Sequence, residues 1–321
     1  MDIFDSSTFT VSGLTVKAIP YCETRVLHCK KRWIGQKPVS VLFTEFKYDV
    51  QEIPFYTAAE EGEARRAKFA VIRRSRSVDD SLVDGDEIWI TDVFEEPGMS
   101  LENFPVIFSV DDNFIAAFKP HALPTIPQGS FRRTNLHYIV KQRFCDISQP
   151  LNRLDRCTAG VVIFARGAYK HEVVDKAYVA KIGRAFGQRF AVNERLHVEK
   201  HVVDQVLKTR VDPDGVEALT QFSDTVGSFI ICRPITGRTH QIRAHLAYVN
   251  APIDGDTLYG SDAVLDKQPE KICLFAYRYT IKIGDTTCIF VSPVIPDWAE
   301  SAPFHLVYFD LCRKTPEILR C

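Results

Sequence analysis

Apolar positions along this chain fall in short blocks, bounded by turn residues and of strand length more often than helix length. Val106, Ile107 and Phe108, then Phe114, Ile115 and Phe118, flank Asp111-Asp112-Asn113. That is the pattern of two strands joined by a turn. Further strands are predicted at residues 161–165, 177–182, 217–222, 228–232, 274–280 and 287–291. Helical spacing is rarer. Leu136, Ile139, Val140 and Phe144 repeat at helical intervals behind Thr134, which can cap them. Ile242 and Leu246 share one face of a helix that Thr239 can start. Before residue 100 the signals are mixed. Residues 55–74 open with helix-favouring composition (Ala58, Ala59, Ala64, Ala67), whereas Asp84-Gly85-Asp86 reads as a turn feeding a strand at 87–90. Many strands and few helices predict an α+β fold with a largely antiparallel, mixed sheet.

Glu95-Glu96-Pro97-Gly98, with Pro105 soon after, breaks regular structure. The expected organisation is an N-terminal region over 1–103, a main domain over 104–310 and a tail over 311–321. The length of 321 residues suits about two domains. Hydrophobic residues at 45% and charged residues at 25% are those of a globular chain with a sizeable core. No apolar stretch approaches the roughly 18 residues that span a bilayer. The first nine residues carry Asp2 and Asp5 and no basic residue, unlike a secretory or transit leader. An intracellular protein without a membrane partner is expected, with cytoplasm, nucleus and mitochondrion left open. Nine cysteines are scattered without a C-x-x-C pair, which speaks against a disulfide framework and a structural zinc site. Cys157 is read as packing rather than as a nucleophile.

Charge complicates any nucleic-acid reading. Forty basic residues stand against 41 acidic ones, so the chain lacks the overall basic footprint of a phosphate binder. Basic residues do cluster locally, at His28-Cys29-Lys30-Lys31-Arg32, at Arg65-Arg66 with Lys68, at Arg73-Arg74 with Arg76, and at Arg132-Arg133. Each cluster suits solvated surface or phosphate contact.

Two segments carry the chemistry. Asn152-Arg153-Leu154-Asp155-Arg156-Cys157-Thr158-Ala159-Gly160 places a carboxylate between two arginines in a turn that enters an apolar strand. Arg233-Pro234-Ile235-Thr236-Gly237-Arg238-Thr239-His240-Gln241-Ile242-Arg243-Ala244-His245-Leu246 gathers cations around a turn and a helix start. A buried carboxylate must be paired or hydrogen-bonded, and arginine is a fitting partner for it and for phosphate. Taken alone, Asp155 suits a turn cap, Arg243 a surface helix position and Tyr178 a half-buried strand aromatic.

Together these segments resemble the signature of the RluA-like pseudouridine synthases, which isomerise uridine in RNA. The resemblance makes Asp155 the nucleophilic or basic residue, Arg243 its ion-pair partner, and Tyr178, in Lys176-Ala177-Tyr178-Val179-Ala180, the ring that stacks on the target base. It sends Arg153 into the RNA stack in place of the flipped uridine. It sets Arg156, Lys176, Arg238, His240 and Gln241 on the RNA side, and Thr158, Gly160, Gly237, Leu258 and Tyr259 as braces. Lys119-Pro120 with Leu123-Pro124 is similar to a K-P-x-G-L-P loop, with Ala122 where the glycine is expected. Leu258-Tyr259-Gly260 after Asp254-Gly255-Asp256 resembles an I-x-G-D-x-x-Y-G element. Lys31-Arg32-Trp33-Ile34-Gly35, with Val41-Leu42-Phe43 and Glu45-Phe46, resembles a segment of a eukaryotic branch, and Tyr56 to Gly62 with Asp84 to Ile88 resembles a decayed S4-type element. With Pro127 to Asn135 they point to the eukaryotic branch that modifies the tRNA anticodon loop. The resemblance covers most of residues 25–295.

It implies RNA as partner, tRNA first with rRNA and mRNA as other classes, a monomer, and a reaction needing no metal or cofactor. Attack of Asp155 at the sugar and attack at the base both remain open. The chain departs from the family chiefly in length. Only 23 positions separate Asp155 from Tyr178, leaving residues 168–175 for a helix of about two turns. That shortening motivates a second reading, a catalytically impaired RNA-binding or folding protein on the same scaffold.

Overall fold

A computed structural model describes residues 7–46, 55–57, 69–73, 79–100, 104–167, 172–200, 207–260 and 269–300. The chain divides into two compact units, Ala18–Pro97 and Met1–Lys17 with Gly98–Cys321. Among the described residues no helix is long and apolar enough to cross a membrane.

The smaller unit is a four-stranded sheet in the order Tyr21–His28, Glu87–Phe94, Phe69–Arg73, Phe55–Thr57, with the helix Pro38–Phe46. Trp33, Val41, Leu42, Leu82, Ile88 and Ile90 form its core. The helical composition read over residues 55–74 is corrected at both ends. Phe55–Thr57 and Phe69–Arg73 are strands, paired in parallel, and Phe69–Arg73 also pairs with Glu87–Phe94. Phe-Tyr-Thr and Phe-Ala-Val-Ile suit a pleated surface, and pairing outweighs helix propensity there. The alanine-bearing stretch between them lies outside the described residues.

The larger unit is α+β, built on a nine-stranded sheet. Its path runs Phe190–Asn193, Leu219–Phe222, Phe229–Pro234, Glu172–Lys181, Leu274–Ile283, Ala159–Ala165, Phe114–Lys119, Val106–Val110, and Thr286–Val291 pairs alongside Leu274–Ile283. Among the described residues one pair in this sheet is parallel, Ala159–Ala165 with Leu274–Ile283. The rest are antiparallel, as the turn-separated short strands implied. Strand Ala159–Ala165 is buried at every position. Its odd-numbered side chains join two apolar clusters with Phe275, Tyr277, Tyr279 and Ile281. Helix Leu136–Arg143 stacks His137 on Phe164 of the opposite face, and helix Gln241–Tyr248 lies over Thr220 on that same face.

One row of register partners crosses the sheet through Lys119, Gly160, Ala276, Tyr178, Cys232 and Phe222. Gly160 and Tyr178 therefore lie two strands apart, about 10 Å, and on one face. Gly160 has φ 134°, and a Cβ there would stand 2.2 Å from the Ala276 carbonyl oxygen. Only glycine lets the strand that follows the Asp155 turn come in so close.

Two caps differ from expectation. Helix Leu136–Arg143 is capped by Asn135, not Thr134: the Asn135 carboxamide oxygen accepts the Tyr138 N–H at 3.0 Å. The second helix has His240, not Thr239, at its N-cap, in a left-handed conformation with φ 52°. No helix occupies residues 172–175 either. Strand Glu172–Lys181 begins there and pairs with Leu274–Ile283 from Glu172 onward, leaving Val174 54% exposed. β-branched Val173 and Val174 favour that extended pairing. Residues 168–171 lie outside the described residues.

Candidate active site

The turn that carries Asp155 is fixed on every side. Asn152 imitates a strand residue, its amide donating to the Val161 carbonyl at 2.8 Å and its oxygen accepting the Ile163 N–H at 3.0 Å. The Thr125 hydroxyl donates to the Leu154 carbonyl and accepts the Leu154 N–H. Lys119, fully buried, donates to the carbonyls of Pro120, Leu123 and Arg156 at 2.9, 2.7 and 3.2 Å. Its three donors thus meet three acceptors. Burial lowers its pKa to about 7, against the pull of Cys157 and Asp155. His121 Nδ1 lies 2.7 Å from the Cys157 carbonyl. Ala122, standing where the related loop has glycine, takes up the left-handed conformation itself, with φ 62°.

Arg243 reaches this turn from the helix Gln241–Tyr248. Its guanidinium is 1% exposed and sits in a fork with Asp256, Nε to Oδ2 at 2.7 Å and Nη2 to Oδ1 at 2.9 Å. The Asp256 side chain is fully buried, and its Oδ1 also accepts the Leu258 N–H. The remaining nitrogen, Nη1, donates to Asp155 Oδ2 at 3.3 Å. A charge-assisted fork fixes both the plane and the position of a guanidinium, so Asp256 holds Arg243 and Arg243 holds Asp155. The ring of Tyr259 lies 4.9 Å from the guanidinium carbon.

Asp155 itself is 29% exposed at its side chain. Burial pushes its carboxyl up, but His240, Arg243 and the Arg243 hydrogen bond pull harder, with Lys119 adding, and the net falls below the ordinary value. Burial also drives His240 down, against Asp155. At neutral pH the ring is therefore uncharged, and the lasting cation opposite Asp155 is Arg243. Tyr178 is buried, and burial, then Tyr279 and Asp155, push its phenol far up, so it keeps its proton near neutrality.

The structure brings Asp155, Arg243, His240 and Tyr259 into one cluster, with Tyr178 on the adjoining row. The other residues singled out from the sequence lie around it. Arg153 is exposed on the turn. The Arg156 guanidinium stands 5.7 Å from the Phe131 ring. Lys176 donates to the Thr236 carbonyl at 2.9 Å, close beside Gly237. Arg238 is exposed and donates to the Glu217 carbonyl. Gln241 is buried with its bonds inside the protein: its oxygen accepts from Thr236 and the Arg238 N–H, and its amide donates to Leu219 and Thr220. Thr158 is buried in the turn, and Leu258 packs with Leu196, Ala218, Ala244 and Tyr259. Cys157 is buried, and burial pushes its thiol up to about 11. Lys119 and Asp256 were named only as members of motifs that resemble the family's, without a role, and His121 was not singled out; acid and base residues beside turn glycines and prolines are too common a signal to assign roles.

Residues 113–248, which span the Asp155 turn, Tyr178 and Arg243, match the model of the RNA pseudouridylate synthase family. Over this segment the chain matches the RluA-like pseudouridine synthases. It is 32% identical over 278 residues to a pseudouridylate synthase of Mus musculus, covering 81% of this chain and 48% of the relative. It is 29% identical over 269 residues to the mitochondrial tRNA pseudouridine(32) synthase of Saccharomyces cerevisiae, covering 79% and 57%. The chain spans about half the length of these curated relatives. The solved structure of human RNA pseudouridylate synthase domain containing 1 shares the fold, at 20% identity and a TM-score of 0.50, over 69% of this chain and 99% of that one. The matched residues include Asp155, His240 and Arg243 of the cluster and Tyr178, which shares one face of the sheet with Gly160.

Proposed function

We propose that this protein isomerises uridine to pseudouridine in RNA, with tRNA as substrate. The observation that carries the reading is a carboxylate kept ionised by a buried Arg243–Asp256 fork while its Oδ1 has no hydrogen bond among the described residues. A uridine within a stem is out of reach until it is flipped out. Exposed Arg153, on the same turn as Asp155, can stack where the base was. Isomerisation then breaks N1–C1′ and forms C5–C1′; the C5 proton leaves to solvent and N1 gains one. Atoms balance without a metal, an oxidant or a cofactor. Attack at the sugar and attack at the base both draw on the ionised Asp155 oxygen. Neutral Tyr178 offers the flipped base a ring to stack on.

The yeast relative, named for a tRNA position, supports tRNA as substrate class. The smaller unit, as an S4-like RNA-binding element, supplies further contacts through Lys30 and Arg32, which flank the Trp33 ring at 5.1 and 5.8 Å. Tritium release from tRNA transcripts carrying 5-tritiated uridine tests the reading. Release in step with pseudouridine formation is expected. Salt-sensitive binding of tRNA, rRNA and mRNA transcripts without release from any of them would overturn it in favour of a binding protein.

A further inference from the structure

His240 stands between the Asp155 carboxylate and the Tyr259 hydroxyl. The ring is 9% exposed. Its Nδ1 lies 3.1 Å from the Tyr259 hydroxyl, with the two rings edge to face, and its Nε2 lies 3.8 Å from Asp155 Oδ2. The direction of each proton follows from the donors available. The Thr209 backbone N–H, which can only donate, meets the Tyr259 oxygen at 2.7 Å. Tyr259 accepts there, and giving its single proton to His240 Nδ1 is the arrangement that avoids a bare Nε2 facing the Asp155 carboxylate lone pair to lone pair. Nδ1 then accepts, and the one proton of a neutral imidazole sits on Nε2, facing Asp155. The charged or titratable groups around this ring are Asp155, Arg243 and Asp256, with Tyr259 against Nδ1 and Lys208 5.5 Å from the Tyr259 ring.

Asp155 Oδ2 is thus faced by two N–H groups, Arg243 Nη1 at 3.3 Å and His240 Nε2 at 3.8 Å. Oδ1 has no hydrogen bond among the described residues. Resting on the isomerase reading of this site, we propose that His240 is a positioning residue. Its Nε2–H, oriented through Tyr259, joins Arg243 in holding Oδ2, so that Oδ1 is the oxygen presented to the substrate. The 3.8 Å gap is longer than a hydrogen bond. Such contacts tighten once substrate closes the site. Arg243 alone, gripping through one nitrogen, leaves the carboxylate free to rotate about that bond; a second donor on the same oxygen removes this freedom.

Two amide substitutions separate positioning from packing. His240→Asn sets an amide against Tyr259 and tolerates positive φ, but it does not reach Asp155. His240→Gln reaches the Nε2 position. The expected result is a fall in kcat of about 10- to 100-fold for His240→Asn, the scale of a misplaced reacting group, with KM for RNA unchanged and most of kcat restored in His240→Gln. Wild-type kcat in His240→Asn would overturn the assignment, and so would an equal loss in both variants. Independently of activity, 15N shifts of selectively labelled histidine should show His240 protonated on Nε2 and bare on Nδ1; the opposite tautomer would also overturn it. Wild type assayed alongside keeps the two claims apart. No tritium release from wild type contradicts the isomerase reading, whereas equal release from wild type and His240→Asn contradicts only the role of His240.

Discussion

Ala122 holds a backbone conformation that costs an L-residue about 1–2 kcal/mol, at φ 62°, in the loop that tethers the Asp155 turn. Its N–H donates to the Glu270 carbonyl at 3.0 Å, so the loop keeps its shape with alanine where glycine was expected, at the expense of strain. Ala122→Gly relieves that strain but widens the freedom of the unfolded chain. A net gain of about 0.5–1 kcal/mol is expected, read as a higher urea midpoint at unchanged m-value; an unchanged or lower midpoint would show that the loop relaxes around alanine. The same scale shows what was legible. Asp155, Tyr178 and Arg243 stood out because each lies in a motif that resembles the RluA-like signature. Asp256 did not, since its role lies in a fork 13 residues away on a buried guanidinium. Lys119 was legible as part of a family-like loop, but its role shows only once three backbone carbonyls close around it.

Among elements, the buried strands were legible because runs such as Val161 to Phe164 are apolar at every position, the mark of a strand covered on both faces. Their ends were not, because pairing partners set them. Glu172–Lys181 starts well before the predicted strand, drawn out by Leu274–Ile283 across to Lys282. The same pairing answers the shortened segment: strand Glu172–Lys181 takes half of residues 168–175, the stretch left for a helix, and Tyr178 keeps its row beside Ala276 and Gly160. The turn before the second helix hid its cap in the left-handed backbone of His240, which Thr239 at the preceding position could not announce. In the smaller unit, alanine content favoured a helix at residues 55–74, while both described ends are strands fixed by long-range pairing.

At the scale of the whole molecule, His121 ties the Asp155 turn to the last described segment of the large unit. The Trp298 indole N–H, a donor only, faces His121 Nε2 at 3.5 Å, and Nδ1 meets the Cys157 carbonyl. The ring is therefore neutral, and burial lowers its pKa to about 4. The unfolded chain takes up this proton first as pH falls, so the contribution is complete above about pH 6.5 and is lost on the way down to about pH 4, at most about 3 kcal/mol. The thermal midpoint of wild type should fall more steeply over that range than that of His121→Gln; parallel curves would contradict it. Both the fold and the chemistry converge on the ionised carboxylate beyond that tether. The measurement that tests the account most directly is tritium release from 5-tritiated tRNA transcripts by wild type and Asp155→Asn side by side, with RNA affinity measured for both. Release by wild type alone, at matched affinity, is the predicted result. Undiminished release from Asp155→Asn would contradict it.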